Sequence, residues 1–160
     1  LTQRLEQLET AGVVVRRKLP PPASVQVYDL TDWGREAEPV IRELGRWAAR
    51  SPGHDPTLPL SAVSMMLSFR TMFDSAKAGA TRMTLGFHFG AERFVVTVAD
   101  GTLTVRRTET DGAEVVVTAT PEAVAAAVYA GAGMDDLAID GRREVFDRFT
   151  GFFELPPKAG

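Results

Sequence analysis

The sequence contains no cysteine, which rules out disulfides and thiolate metal sites. Histidine is nearly as scarce, with two residues, His54 and His88. No second histidine or cysteine supports His54-Asp55 as a metal site, so a solvent-exposed loop is its expected setting. No apolar run approaches the roughly 20 residues that cross a bilayer, and no basic-then-apolar leader opens the chain. A reducing, cytoplasmic location is therefore expected. Gly131-Ala132-Gly133 lacks the following glycine and lysine of a phosphate-cradling loop. An overall basic excess is missing too, the formal net charge being −3.

What is present is an ordinary globular composition, 44% hydrophobic and 24% charged, over 160 residues, which allows one large domain or two small ones. Charge is unevenly spread. Residues 1–51 hold 8 Lys/Arg against 7 Asp/Glu, a balance of +1, leaving −4 for residues 52–160. Ser51-Pro52-Gly53-His54-Asp55-Pro56-Thr57-Leu58-Pro59 cannot be a helix or inner strand. The spacing predicts a domain at 1–51, a linker at 52–59 and a second domain at 60–156.

In the first domain, Leu1, Leu5 and Leu8 mark a helix that stops at Ala11-Gly12. Val13–Val15, the basic run Arg16-Arg17-Lys18, the tip Pro20–Ser24 and Val25–Leu30 follow as a β-hairpin with a stiff, proline-bearing end. Thr31 is an N-cap candidate for a further helix, which Pro39 should bend near Glu38. That helix carries the apolar stripe Val40, Ile41, Leu44, Trp47 and Ala48.

These residues carry a resemblance. Leu1–Leu5, Leu8–Val14, Arg16-Arg17, the proline tip, Val27–Thr31, Trp33–Arg35, Pro39-Val40, Leu44 and Trp47 resemble the HxlR family of bacterial transcription regulators. The resemblance implies that Leu1–Ala11 is the recognition helix of a winged helix-turn-helix and Pro20–Ser24 its wing. Thr2, Gln3 and Arg4 would then face the major groove, where Arg suits guanine and Gln adenine. Arg16, Arg17, Lys18 and Ser24 would sit at the wing near phosphates. Ile41, Leu44 and Trp47 would serve a homodimer interface or cap the winged-helix core. The family has further helices before the recognition helix, whereas this sequence opens at Leu1, so these residues alone should bind DNA poorly.

The second domain opens with a helix capped by Ser61 and carrying Val63, Met66, Leu67, Phe69, Met72 and Phe73. Four strand-like runs follow: 83–89, 93–99, 103–107 and 114–119. Asp100-Gly101 and Asp111-Gly112 are hairpin signals, so an antiparallel meander is expected. Pro121 and Glu122 suit the first turn of an alanine-rich helix. Ala138–Gly141 reads as a short strand or turn, before a last helix with Val145, Phe146, Phe149 and the Phe152-Phe153 pair. This order is similar to the sterol carrier protein type-two-like fold, carried by Phe94–Gly101, Thr118–Ala127 and Ile139–Arg142. The fold class is thus α+β: a partial winged helix, then a meander sheet covered by helices.

That resemblance implies an apolar tunnel for lipids or other hydrophobic molecules. Phe69, Met72, Phe73, Met83, Leu85, Phe87, Phe94, Val96, Phe146 and Phe149 are either its lining or plain core. No enzyme, metal or cofactor is expected. His88 lacks a catalytic partner, and the carboxylates Asp100, Asp111, Asp135, Asp136 and Asp140 sit at turns. The resulting expectation is a dimeric regulator of double-stranded operator DNA that senses an apolar ligand. The alternative is a lipid or small-molecule carrier, or a dimerisation module, without DNA binding.

Overall fold

A computed structural model describes residues 2–20, 23–55 and 58–160. Leu1, the wing-tip prolines Pro21 and Pro22, and Pro56-Thr57 lie outside them. The chain forms two compact units, Leu1–Leu44 and Gly45–Gly160.

In the first unit, helix α1 (Thr2–Thr10) ends where Gly12 takes a left-handed φ of +76°. The Gly12 and Val13 amides bond back to Glu9 and Leu8, an ending that glycine adopts without steric cost. Strands β1 (Val14–Lys18) and β2 (Gln26–Leu30) pair antiparallel from Val14↔Leu30 to Lys18↔Gln26. Pro20 and Ser24 are exposed, and Ser24 takes a positive φ of 42°. The Thr31 hydroxyl accepts the Gly34 amide at 2.9 Å, capping α2 (Asp32–Glu36) as expected. It also reaches Gly12 O at 2.7 Å, tying the helix stop to the end of the ribbon. The expected bend is a break at Ala37, after which α3 (Glu38–Ala49) begins. Only Val14 and Gly34 are buried among this unit's described residues.

The second unit holds α4 (Ala62–Met72), α5 (Ser75–Ala78), β3 (Met83–Phe89), β4 (Glu92–Ala99), β5 (Thr102–Arg106), β6 (Val115–Thr118), α6 (Pro121–Tyr129), β7 (Ala138–Gly141) and α7 (Arg143–Thr150). Ser61 and Thr120 cap α4 and α6 through their hydroxyls, and Pro121 opens α6. Three strands form the expected meander, β3–β4–β5. Its second turn places both Asp100 (φ 51°) and Gly101 (φ 70°) in left-handed backbone, the hairpin geometry that Asp-Gly favours.

The fourth strand departs from a meander. β6 joins β3 in parallel, Leu85↔Val115 to His88↔Thr118, and β7 continues antiparallel beyond it, giving the order β5-β4-β3-β6-β7. Asp111-Gly112 therefore turns a crossing loop rather than a hairpin. Gly86 makes the crossing possible: a Cβ there would lie 2.7 Å from the Thr110 side chain. The Thr110 hydroxyl meets His88 Nε2 at 2.7 Å, pinning the loop to the sheet face opposite the core.

On the inner face, period-two alternation directs Met83, Leu85, Phe87 and Phe89 inward with Phe94, Val96 and Val98. α4 adds Met65, Met66 and Phe69, α6 adds Val124, Ala127 and Val128, and α7 adds Val145, Phe146 and Phe149. α7 ends at Thr150, so Phe152 and Phe153 are buried from the segment after it, where Phe153 bridges Phe73.

Candidate functional site

The DNA-reading candidates sit on the first unit. Thr2, Gln3 and Arg4 are exposed on α1, and Arg4 donates to Gln7 Oε1 at 3.1 Å. Leu5 is half-buried and Leu8 is 41% exposed, so the apolar side of α1 is only partly covered. Alternation along β1 sets Arg17 on the face opposite Arg16 and Lys18. Arg16 shares a face with Tyr28, donating to its hydroxyl at 2.8 Å and pairing with Glu9 at 3.1 Å. Glu9 and Tyr28 together raise the guanidinium pKa, so Arg16 stays charged. Arg17 points the other way and bonds Asp29 at 2.5 Å. That bond is the main cause holding the Asp29 carboxyl below its ordinary value, with Arg35 adding to it. Lys18, next to the tip, is exposed and has no partner among the described residues. Ser24 is exposed on the far side of the tip.

In the sequence Arg16, Arg17 and Lys18 form one basic run. Arg16 and Arg17 are exposed and each pairs with a carboxylate, while Lys18 sits beside the tip. The signal was available in the ribbon itself: Tyr28 lies directly across from Arg16, and Asp29 diagonally from Arg17.

The dimer candidates lie on α3. Ile41 is 48% exposed, Leu44 56% and Trp47 71%, and Val40 extends the stripe at 69%. Large apolar side chains at this spacing with so little cover form a ready contact face.

The ten ligand candidates divide. Phe69, Met83, Leu85, Phe87, Phe94, Val96, Phe146 and Phe149 are buried and meet one another. Phe69 stands 5.3 Å from Phe87 and 5.1 Å from Phe149, ring centre to ring centre, and Phe87 lies 6.3 Å from Phe146. These are edge and tilted contacts of a packed aromatic core. Met72 and Phe73 are half-buried and face a solvent-open cleft with Arg46, Asp74, Ser75 and the Glu154–Pro157 segment. No local feature of the sequence joins that segment to α3 and α4.

Two half-buried polar features remain. The Tyr129 and Ser68 hydroxyls bond at 2.7 Å, and burial pushes the tyrosine pKa up. His88 is held below its ordinary pKa by burial first and by Arg93 second. Among the described residues no group of three or more His, Asp or Glu could hold a metal ion, and no helix is long and apolar enough to cross a membrane.

Helix, basic ribbon and helix, followed by an antiparallel-rich sheet with helices on one face, define a winged helix-type segment joined to an α+β domain. Residues 1–55 match the HxlR-like helix-turn-helix family. Residues 57–159, well over half of the chain, match the alkyl sulfatase C-terminal family, and the chain belongs to that family. The two matches meet inside the proline-rich stretch, whereas the compact units divide within α3.

An uncharacterized HTH-type transcriptional regulator, YvaP, of Bacillus subtilis (strain 168) is 40% identical over 48 residues, 30% of this chain and 44% of that protein. The chain therefore spans under half the length of that relative. The solved structure of the stereoselective inverting sec-alkylsulfatase Pisa1 from Pseudomonas sp. aligns with a TM-score of 0.56 at 21% identity. The alignment covers 63% of this chain and 18% of the sulfatase, and it speaks to fold alone. The ubiquinone synthesis protein UbiJ-SCP2 aligns at 12% identity with a TM-score of 0.42, over 76% of this chain and 92% of that one.

Proposed function

We propose that the chain belongs to a transcription regulator that binds operator DNA as a dimer and carries an apolar-ligand-sensing module in place of an enzyme. The carrying observation is local. An exposed polar helix face with Thr2, Gln3 and Arg4 leads through a glycine stop into a cationic ribbon whose tip holds Lys18, which has no partner among the described residues. In this reading the α1 side chains meet base edges, while Lys18 and Ser24 contact phosphates and fix the register. Arg16 and Arg17 stiffen the ribbon and keep positive potential beside the backbone. The α3 stripe pairs two copies, which sets the spacing of two half-sites. The second unit shares its fold with part of an alkylsulfatase, and analogy of fold supports a module that meets alkyl or other apolar groups. The site residues of the first unit offer phosphate contact and no reaction chemistry.

The test is an anisotropy titration of the protein against duplex DNA from its own upstream region at several salt concentrations. Binding should weaken steeply with salt, and Lys18→Ala should reduce the slope of log affinity against log salt by about 1 for the lost phosphate contact. The internal pairing of Arg16 and Arg17 favours a second reading, a carrier or dimerisation module without DNA binding. Flat, salt-insensitive titration curves would select that reading.

A further inference from the structure

The last residues of the second unit are fastened to the end of α3. Arg50 Nε donates to Pro157 O at 3.3 Å, and the Ala159 amide donates to Arg50 O at 2.8 Å. The Lys158 ammonium donates to Ala49 O at 3.2 Å and Ser51 O at 3.1 Å. The final carbonyls of a helix have no partner inside it, and that end attracts positive charge. The tail thus adds donors to the carbonyls at the end of α3. Under it lies a solvent-open cleft of about 360 Å³, bounded by Arg46 on α3, the Met72–Ser75 corner and the Glu154–Pro157 strap. That volume is within the roughly 300–1,000 Å³ of small-molecule sites.

We infer that this cleft is an effector site for a small neutral molecule with an apolar body, and that the tail is its flap. The inference rests on the reading of the second unit as a sensing module. Neutrality follows from how the charged walls are satisfied. Arg46 donates to Thr71 O, Asp74 Oδ1 accepts the Ala76 and Lys77 amides, and Glu154 pairs with Lys77 at 2.7 Å. An ionic ligand would have to displace one of these bonds, while Met72, Phe73, Leu155, Pro156 and Pro157 offer apolar contact without any loss. The strap can lift because the groups that anchor it, Arg50, Lys158 and the Lys77–Glu154 pair, are exposed. Occupancy is read on α3, since Arg46 belongs to the same helix as Leu44 and Trp47. A ligand that favours one setting of that helix shifts whatever the helix binds.

The experiment uses the full chain and two probes, neutral N-phenyl-1-naphthylamine and anionic 1-anilinonaphthalene-8-sulfonate. The neutral probe should bind at least about tenfold more tightly, a difference of about 1.4 kcal/mol. Ser75→Trp, which fills the mouth, and Leu155→Arg should each weaken it by about tenfold or more while the melting curve stays put. Val63→Arg, at an exposed α4 position outside the cleft, should change nothing. Absence of neutral-probe binding, equal affinity for both probes, or indifference to both cleft variants overturns the site. Operator titration of the same samples separates the two readings. Lost probe binding with intact DNA binding sinks only the cleft, and the converse sinks only the operator.

Discussion

Replacing Phe69 by alanine tests whether the interior of the second unit is core or chamber. Phe69 is fully buried, with ring centres of Phe87, Phe149 and Phe153 at 5.3, 5.1 and 5.1 Å. Truncating such a phenylalanine costs about 3–5 kcal/mol in lost transfer energy and cavity. Each aromatic pair adds about 0.5–1.5 kcal/mol beyond its area, so three of them push the loss toward the upper end, about 5 kcal/mol. A domain has only about 5–15 kcal/mol to lose, so a third or more of the stability should go. At roughly 3–5 °C per kcal/mol for a unit of this size, melting should drop by about 15–25 °C. Urea unfolding followed by circular dichroism gives the free energy directly, and an unchanged m-value would show that the exposed surface is the same. A loss under about 1 kcal/mol would refute the reasoning. It would mean that Phe69 faces empty or ligand-filled space, and the apolar tunnel would return as the binding site.

Leu44→Glu should raise the dissociation constant of a dimer by at least about tenfold, because a carboxylate would replace an exposed apolar contact in the middle of the α3 stripe. Sedimentation across a concentration series checks it, and a wild-type chain that is monomeric throughout would remove the interface. His88 predicts a pH slope. Burial and Arg93 hold its folded value below the ordinary imidazole value near 6.5, with Glu109 opposing them. The unfolded chain takes up the proton first, so the stability contribution is complete above that value. It falls as pH drops through it and levels off below the depressed folded value. His88→Gln should flatten this slope in melts between about pH 7 and 5, and an unchanged slope would mean that another group titrates.

Local features were legible from the chain alone. The stop at Gly12, the Thr31, Ser61 and Thr120 caps, the Asp100-Gly101 hairpin and the inward alternation of β3 and β4 are each decided within a few residues, by sterics and by hydrogen bonds to neighbouring amides. Helix, ribbon and strand order follow from those features. What the tertiary structure alone decided is where distant segments meet. β6 inserts beside β3 because a glycine at 86 admits Thr110, and no local preference announces that partner. Arg16 and Arg17 are paired because of Tyr28 and Asp29 across the ribbon, and the tail bonds the end of α3 although about a hundred residues separate them. Residue type sets what a side chain can do through its own chemistry. Its actual partner depends on packing summed over the whole chain, which no single stretch contains.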